Sequence, residues 1–275
     1  MKRTIAGVLA VASALAVLAI APGAASATHD VNRPIHPGVM TFTDGAQCTS
    51  NFVYRDAAGT YIGQSAHCSG TGGPTETNGC DSGSLPIGTP VEVDGATRPG
   101  TLVYNSWISM QQSGETNADA CEYNDFALVR LDSADVGRVN PTVPGFGGPH
   151  GVGGSSAMLG DTVYSYGNSS LRGGVTKLSP KQGVVIQGQG NGWSRIVYTA
   201  TPGVPGDSGS GFMSGTGQAI GTLSTLQALP FPGSNGVADL AHELDYARSH
   251  GFGGLNLVDG EVQFTPDLFR AIINS

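Results

Sequence analysis

The heptapeptide PGDSGSG, residues 205–211, supports two readings. Gly, Asp, Ser and Pro build ordinary surface turns, and a chain with 43 glycines among 275 residues has many of those. The other reading holds Ser208 out on a tight backbone turn as a nucleophile. A serine hydroxyl is almost fully protonated at neutral pH, so this reading requires a base, and the base requires an acid to hold it in one tautomer. The fold turns on whether the rest of the chain supplies that pair.

Residues 1–27, MKRTIAGVLAVASALAVLAIAPGAASA, place Lys2 and Arg3 ahead of an apolar run from Ile5 to Ile20 and the small-residue site Ala25-Ser26-Ala27. That is the layout of a secretory signal peptide cleaved after Ala27. As a membrane span the run is too short, and Pro22 and Gly23 follow it at once. The expectation is a secreted, extracellular protein with no membrane association once the leader is gone. Losing Lys2 and Arg3 takes the net charge from −8 to −10. A surface of that sign with no basic cluster excludes nucleic acid as a partner.

The remaining 248 residues (275 less 27) suffice for one large all-β domain or two small fused ones. Charged residues make up 12% of the chain, against about 25% in an average domain, and the glycine excess favours short strands joined by tight turns. β-rich runs recur at Val39–Thr43, Asn51–Tyr54, Val91–Val93, Thr101–Ser109 and Phe126–Leu131. After a loose connection, GFGGPHGVGGSS at 145–156, they resume at Thr162–Tyr166, Gly183–Gln187, Arg195–Ala200, Gly211–Met213 and Ala219–Leu223. This spacing predicts antiparallel sandwiches or barrels. Only the end reads as helical, around Leu240, Leu244 and Ala247 and again after Pro266. Cys48, Cys68, Cys80 and Cys121 are an even set in an exported chain, hence two disulfides with three possible connectivities. No two of them have a metal-binding CxxC spacing, and no metal site is expected.

Among six histidines, His29 and His36 fall in the N-terminal segment, His150 in the loose connection, His242 on a helix and His250 at a helix end. All five read as solvated. His67 follows the strand-like TYIGQS run and adjoins Cys68, which can lock its backbone. Asp125 stands at the mouth of the apolar strand Phe126–Leu131, where an unpartnered carboxylate is costly to bury. Asp119, Asp132 and Asp135 lie in polar, turn-like contexts and read as solvated.

Ser65-Ala66-His67-Cys68, Asn124-Asp125-Phe126-Ala127-Leu128-Val129 and Gly206-Asp207-Ser208-Gly209 resemble, in that order, the three active-site signatures of the chymotrypsin/trypsin-like serine proteases, secreted bacterial type. The likeness runs from about Val39 to Tyr246. The order His, Asp, Ser separates it from α/β-hydrolases (Ser, Asp, His) and subtilisins (Asp, His, Ser), and Ser210 breaks the GxSxG pattern of lipases.

The resemblance implies two six-stranded antiparallel β-barrels, about 38–140 and 157–250, within a domain spanning 38–275. A short segment 28–37 precedes it, and an extension 251–275 with a short C-terminal helix ends it. It implies Ser208 as nucleophile, His67 as general base and Asp125 as orienter. The N–H groups of Gly206 and Ser208 form the oxyanion hole, with Asp207 anchoring the turn from beneath. It also implies the disulfides Cys48–Cys68 and, with it, Cys80–Cys121. Pro202 falls at the base of the specificity pocket, Ser224, Thr225 and Leu226 along one wall, Gly236 on the other, with Leu223 close by. None carries a charge, so cleavage after uncharged, apolar residues is expected.

The chain has no Ile-Val-Gly-Gly-like start, so activation by a new N-terminus is not expected. The reaction needs no metal or organic cofactor, the substrate is a protein or peptide, and a monomer is expected. One alternative of the same fold is an inactive or specialised homologue that binds a protein without cutting it. One of another class is a disulfide-stapled secreted β-protein that binds surfaces or glycans. Rows of exposed aromatics would mark the latter, and the only tryptophans are Trp107 and Trp193.

Overall fold

The structure, a computed structural model, describes residues 30–73, 77–154, 158–227 and 231–275. The expected leader, 1–27, and His29 lie outside the described residues. The first half contributes β1 (Met40–Thr43), β2 (Ala46–Thr49), β3 (Val53–Arg55), β4 (Thr60–Gln64), β5 (Pro90–Val93), β6 (Gly100–Asn105) and β7 (Ala127–Arg130). The second contributes β8 (Thr162–Tyr166), β9 (Pro180–Gln189), β10 (Ser194–Thr199), β11 (Gly211–Ser214), β12 (Ala219–Leu226) and β13 (Asn235–Asp239). A short β14 (Asn256–Leu257) comes from the C-terminal stretch.

The second half closes on itself as a six-stranded barrel, β10-β13-β12-β11-β8-β9, with every pairing antiparallel. Closure leaves no sheet edge exposed. The first half is an open antiparallel sheet in the order β14-β3-β4-β7-β6-β5-β1-β2. It differs from the expected closed six-stranded barrel in having eight strands, with β14 and β2 at its two edges, β14 pairing Asn256 and Leu257 with Arg55 and Tyr54.

Alternation along the strands sends one face of each unit inward. Val53, Ile62, Val91, Leu102 and Val129 fill the first core. Val163, Val185, Val197, Phe212, Ile220 and Val237 fill the barrel. A third cluster, with Phe52, Tyr54, Phe126, Tyr164, Met213 and Leu240 among its members, draws on both halves and joins them.

Helix content exceeds the expectation. The run read as a strand over Thr101–Ser109 leaves the sheet at Asn105 and continues as α1 (Ser106–Ser113). The Asn105 side chain caps it, accepting from the N–H groups of Trp107 and Ile108, and Gly114 ends it with φ +65°. Next comes α2 (Ala118–Tyr123), capped by Asn117. The two C-terminal helices are present as α3 (Leu240–Ser249) and α4 (Leu268–Ile273). No described helix is long and apolar enough to cross a membrane.

Two groups read as solvated are buried. His36 packs beside Ile35, which bridges to Val139, so the segment before β1 lies against the first half. Asp135 is fully buried because its carboxylate accepts the backbone N–H groups of Thr97 and Arg98 and the Thr97 hydroxyl. Both disulfides form, Cys48–Cys68 and Cys80–Cys121.

Candidate active site

His67 lies on a single 3₁₀ turn, Ala66–Ser69, directly after β4. The Cys48–Cys68 bridge ties this turn to β2. Asp125 sits in the link between α2 and β7, 3% exposed. Its Oδ1 accepts the backbone N–H of His67 at 2.9 Å, and its Oδ2 lies 2.7 Å from His67 Nδ1. The same Oδ2 accepts the Ser224 hydroxyl at 2.5 Å. One carboxylate thus fixes the backbone and the ring of His67 together. It also fixes the tautomer: with Nδ1 donating to Asp125, Nε2 is the free acceptor.

The charges follow from this geometry. Burial works to lower the His67 pKa, but the Asp125 charge and hydrogen bond outweigh it and raise the pKa above the ordinary imidazole value. Burial works to raise Asp125, yet the charge and hydrogen bond of His67, with the Ser224 hydroxyl and the His67 N–H, bring it below the ordinary carboxyl value. Both shifts favour the ion pair.

The 205–211 turn is held from both halves. The Ser208 carbonyl accepts from Thr49 N–H at 2.8 Å, the Gly209 N–H donates to the Leu223 carbonyl at 2.7 Å, and Leu223 N–H returns to Ser210 at 2.9 Å. The Gly206 carbonyl accepts from the Thr49 hydroxyl and from Gln47 Nε2. Gly206 has φ +95°, and a Cβ there would run into the Gln47 side chain, so glycine is required.

This clamping sets two peptide planes. The Pro205 carbonyl accepts from Ser169 Oγ at 2.5 Å, and the Asp207 carbonyl from Ser210 N–H at 3.0 Å. In a trans peptide the N–H points opposite to the carbonyl, so the N–H groups of Gly206 and Ser208 point away from those partners. Among the described residues neither donates a hydrogen bond.

Asp207 anchors the turn from inside and is fully buried. Arg172 grips it with both guanidinium nitrogens, Nη1 to Oδ1 and Nη2 to Oδ2, the latter at 2.6 Å. Lys181 Nζ lies 3.1 Å from Oδ2, and the Val204 N–H donates to the same oxygen. Burial lowers the Lys181 pKa to about 8, with Asp207 opposing the shift and Arg172 adding to it. The anchor is therefore made by two side chains of the second half.

His67, Asp125, Ser208, Gly206, Leu223 and Ser224 line one cleft of about 720 Å³, which Thr225, Leu226 and Gly236 also border. Pro202 is elsewhere: it is exposed, and its carbonyl faces Arg172 and Lys181 rather than the cleft. Leu226 is 52% exposed, while its neighbour Thr225 pairs with Gly236 and sits where a Cβ of Gly236 would be. Ser224, read from sequence as pocket wall, is a partner of Asp125.

Sequence reasoning missed Arg172 and Lys181, for which no local motif exists. Cys48, His67 and Cys68 also lie close enough to hold a metal, but both sulfurs are spent in the disulfide bridge. What the site offers is an oriented imidazole, a serine on a rigid turn and two free N–H groups in one cleft.

No protein-family model matches the chain, and no curated protein sequence matches it. Solved structures do. Thermobifida fusca protease A matches with a TM-score of 0.54 at 19% identity, over 82% of this chain and 99% of that one. Nocardiopsis protease matches at 0.52 and 18%, over 81% and 98%. Cellulomonas bogoriensis chymotrypsin matches at 0.51 and 17%, over 82% and 98%. The chain has the fold of the bacterial chymotrypsin-like serine proteases.

Proposed function

We propose that the protein is an exported serine endopeptidase, released by cleavage after Ala27 and acting through Ser208, His67 and Asp125. The observation that carries this reading is the His67–Asp125 pair, buried on the acid's side and joined in one cleft to Ser208. In the first step Ser208 Oγ attacks the scissile carbonyl carbon while His67 Nε2 takes the hydroxyl proton. The carbonyl π pair moves to oxygen, and the N–H groups of Gly206 and Ser208 stabilise that oxyanion. When the tetrahedral intermediate collapses, the C–N bond breaks and His67 gives its proton to the departing amine. A water, deprotonated by the same imidazole, then releases the acyl group and restores Ser208.

The substrate preference proposed is for uncharged side chains at the cleaved position. Among the described residues around Gly236 the cleft presents Leu223, Thr225, Gln227 and Ala238, all uncharged; the carboxylates elsewhere on its lining are Glu122 and Asp125, the latter already paired with His67.

A fluorophosphonate probe tests the nucleophile. Labelling confined to Ser208, with Ser208→Ala and His67→Ala each lowering kcat/KM by about 10⁴-fold or more, is the expected result. A folded protein that neither takes the probe nor cuts a mixed peptide library would instead be a binding module on the same scaffold. Mass spectrometry of the exported chain should find Thr28 at its amino terminus.

A further inference from the structure

Glu243 lies on the inward side of α3 and is fully buried. Its Oε2 accepts the Thr222 hydroxyl at 2.7 Å. Thr222 Oγ1 in turn accepts from Asn51 Nδ2 at 3.3 Å, and the Asn51 side-chain oxygen accepts the Phe52 N–H and the Tyr54 hydroxyl. Thr222 belongs to the barrel, on the strand that carries Ser224, whereas Asn51 and Tyr54 belong to the first half. This buried chain of hydrogen bonds therefore crosses the junction whose cleft holds the triad. The backbone N–H of Asp125 also faces the Glu243 carboxyl, without closing a full hydrogen bond, since Oε1 has no partner.

The chemistry above makes no use of Glu243. We propose that Glu243 is a positioning residue for the triad: an uncharged carboxyl that holds Thr222 by a hydrogen bond and packs against the Asp125 backbone N–H across the junction of the two halves, so that Asp125 is the one ionised carboxylate facing His67. A helix-face glutamate is usually solvated, and one placed wholly inside must either find a cation or keep its proton.

Among the described residues no cation pairs with it. Arg195 is spent on Asp239 and the Ile220 carbonyl, and Arg248 on Asp245 and the Leu255 carbonyl. The groups facing it are Asp125 from the first half, Asp239 at the start of its own helix, and the Tyr54 and Tyr104 phenols from β3 and β6. All are neutral or negative. Burial foremost, then the charges of Asp125 and Asp239, push its pKa well above the ordinary carboxyl value, although the Thr222 hydroxyl and the Asp125 N–H work the other way. A charged Glu243 would compete with Asp125 for the field at His67; a neutral one keeps the Thr222 hydrogen bond without that cost.

The proposal rests on the triad reading, but its test does not need turnover. The His67 Nδ1 proton and the His67 titration midpoint can be followed by NMR in the full-length mature protein, in Glu243→Gln, Glu243→Ala and Thr222→Val. In Glu243→Gln the Nδ1 signal should persist and the midpoint should move by less than about 0.2 pH units, because no charge has been removed. In Glu243→Ala, and more weakly in Thr222→Val, the signal should broaden or exchange at least about tenfold faster, because the fastening is lost.

A fall of the midpoint by about one pH unit in Glu243→Gln would show an ionised carboxylate and overturn the proposal. An unaltered Nδ1 signal in Glu243→Ala would overturn it too. If Glu243→Ala does not fold, Glu243→Gln and Thr222→Val decide the matter. Absence of a fluorophosphonate adduct on a wild-type protein that shows the paired Nδ1 proton would count against the peptidase reading alone.

Discussion

Asp125 is nearly sealed from water, and every hydrogen bond it accepts serves the orientation of His67 or is shared with Ser224. Its charge is what lifts the His67 pKa against the burial that would lower it. In the proposed mechanism His67 works only when neutral, so peptidase activity should fall as the pH drops through a midpoint above the free-imidazole value of about 6.5. Asp125→Asn should move that midpoint down, since the stabilising charge is gone, and lower kcat by about 10⁴-fold because the amide offers Nδ1 the wrong partner. The kcat/KM profile of both proteins between about pH 4 and 9 reads this directly, and a flat profile would point to a base other than histidine. Stability follows the same pair with opposite signs at its two ends. The raised His67 pKa contributes stability that is full below about 6.5 and is lost as pH rises through the folded value. The lowered Asp125 pKa contributes stability present above the ordinary carboxyl range and lost as pH falls through the folded one.

At the scale of elements, the Ser208 turn is held firmly because a loop from the second half grips it. Arg172, on the link between β8 and β9, is 8% exposed at its side chain and doubly bonded to the buried Asp207. Arg172→Leu should cost about 3–5 kcal/mol by stranding that carboxylate with Lys181 alone, and loosening the Gly206 and Ser208 N–H groups should lower kcat by about 10²-fold. Thermal melts and kcat on a peptide substrate separate the two effects; unchanged kcat would mean the turn holds its shape without Arg172. The difference between Ser208 and Arg172 also explains what the chain discloses in advance. Residues such as His67, Asp125 and Ser208 announce themselves because each sits in a short motif whose neighbours do local work: Cys68 fastens, Phe126–Leu131 buries, and Gly206 permits φ +95°. Arg172, Lys181 and Glu243 meet their partners only after the barrel closes, and nothing beside them in the chain marks them. Helix α1 hides for a different reason. Leu102-Val103-Tyr104 reads as strand and Trp107-Ile108 reads as its continuation, but the Asn105 side chain captures two N–H groups and turns the backbone into a helix. Local β-propensity loses there to a cap.

At the scale of the whole molecule, the C-terminal stretch binds the halves together. Strand β14 adds to the edge of the first sheet, Phe264 stacks edge-on against Tyr164 of the barrel, and Ala271 of α4 sits where Gly145 has no room for a side chain. Phe264 also fills the space that Gly217 leaves at the turn between β11 and β12. The proposed active site would depend on such a brace, because His67 and Ser208 come from opposite halves and a small shift of one against the other would misplace the attack. Phe264 is the residue through which to test it, since it is 9% exposed and is not one of the residues lining the cleft. Phe264→Ala should cost about 3 kcal/mol. For a chain of this size that corresponds to a fall in Tm of roughly 6–12 °C. If the brace also holds the halves in register, fluorophosphonate labelling of Ser208 should slow in the variant at temperatures well below its own transition. Labelling at the wild-type rate with a lowered Tm would confine Phe264 to stability, and an unchanged Tm would show that the C-terminal stretch is not what joins the two halves.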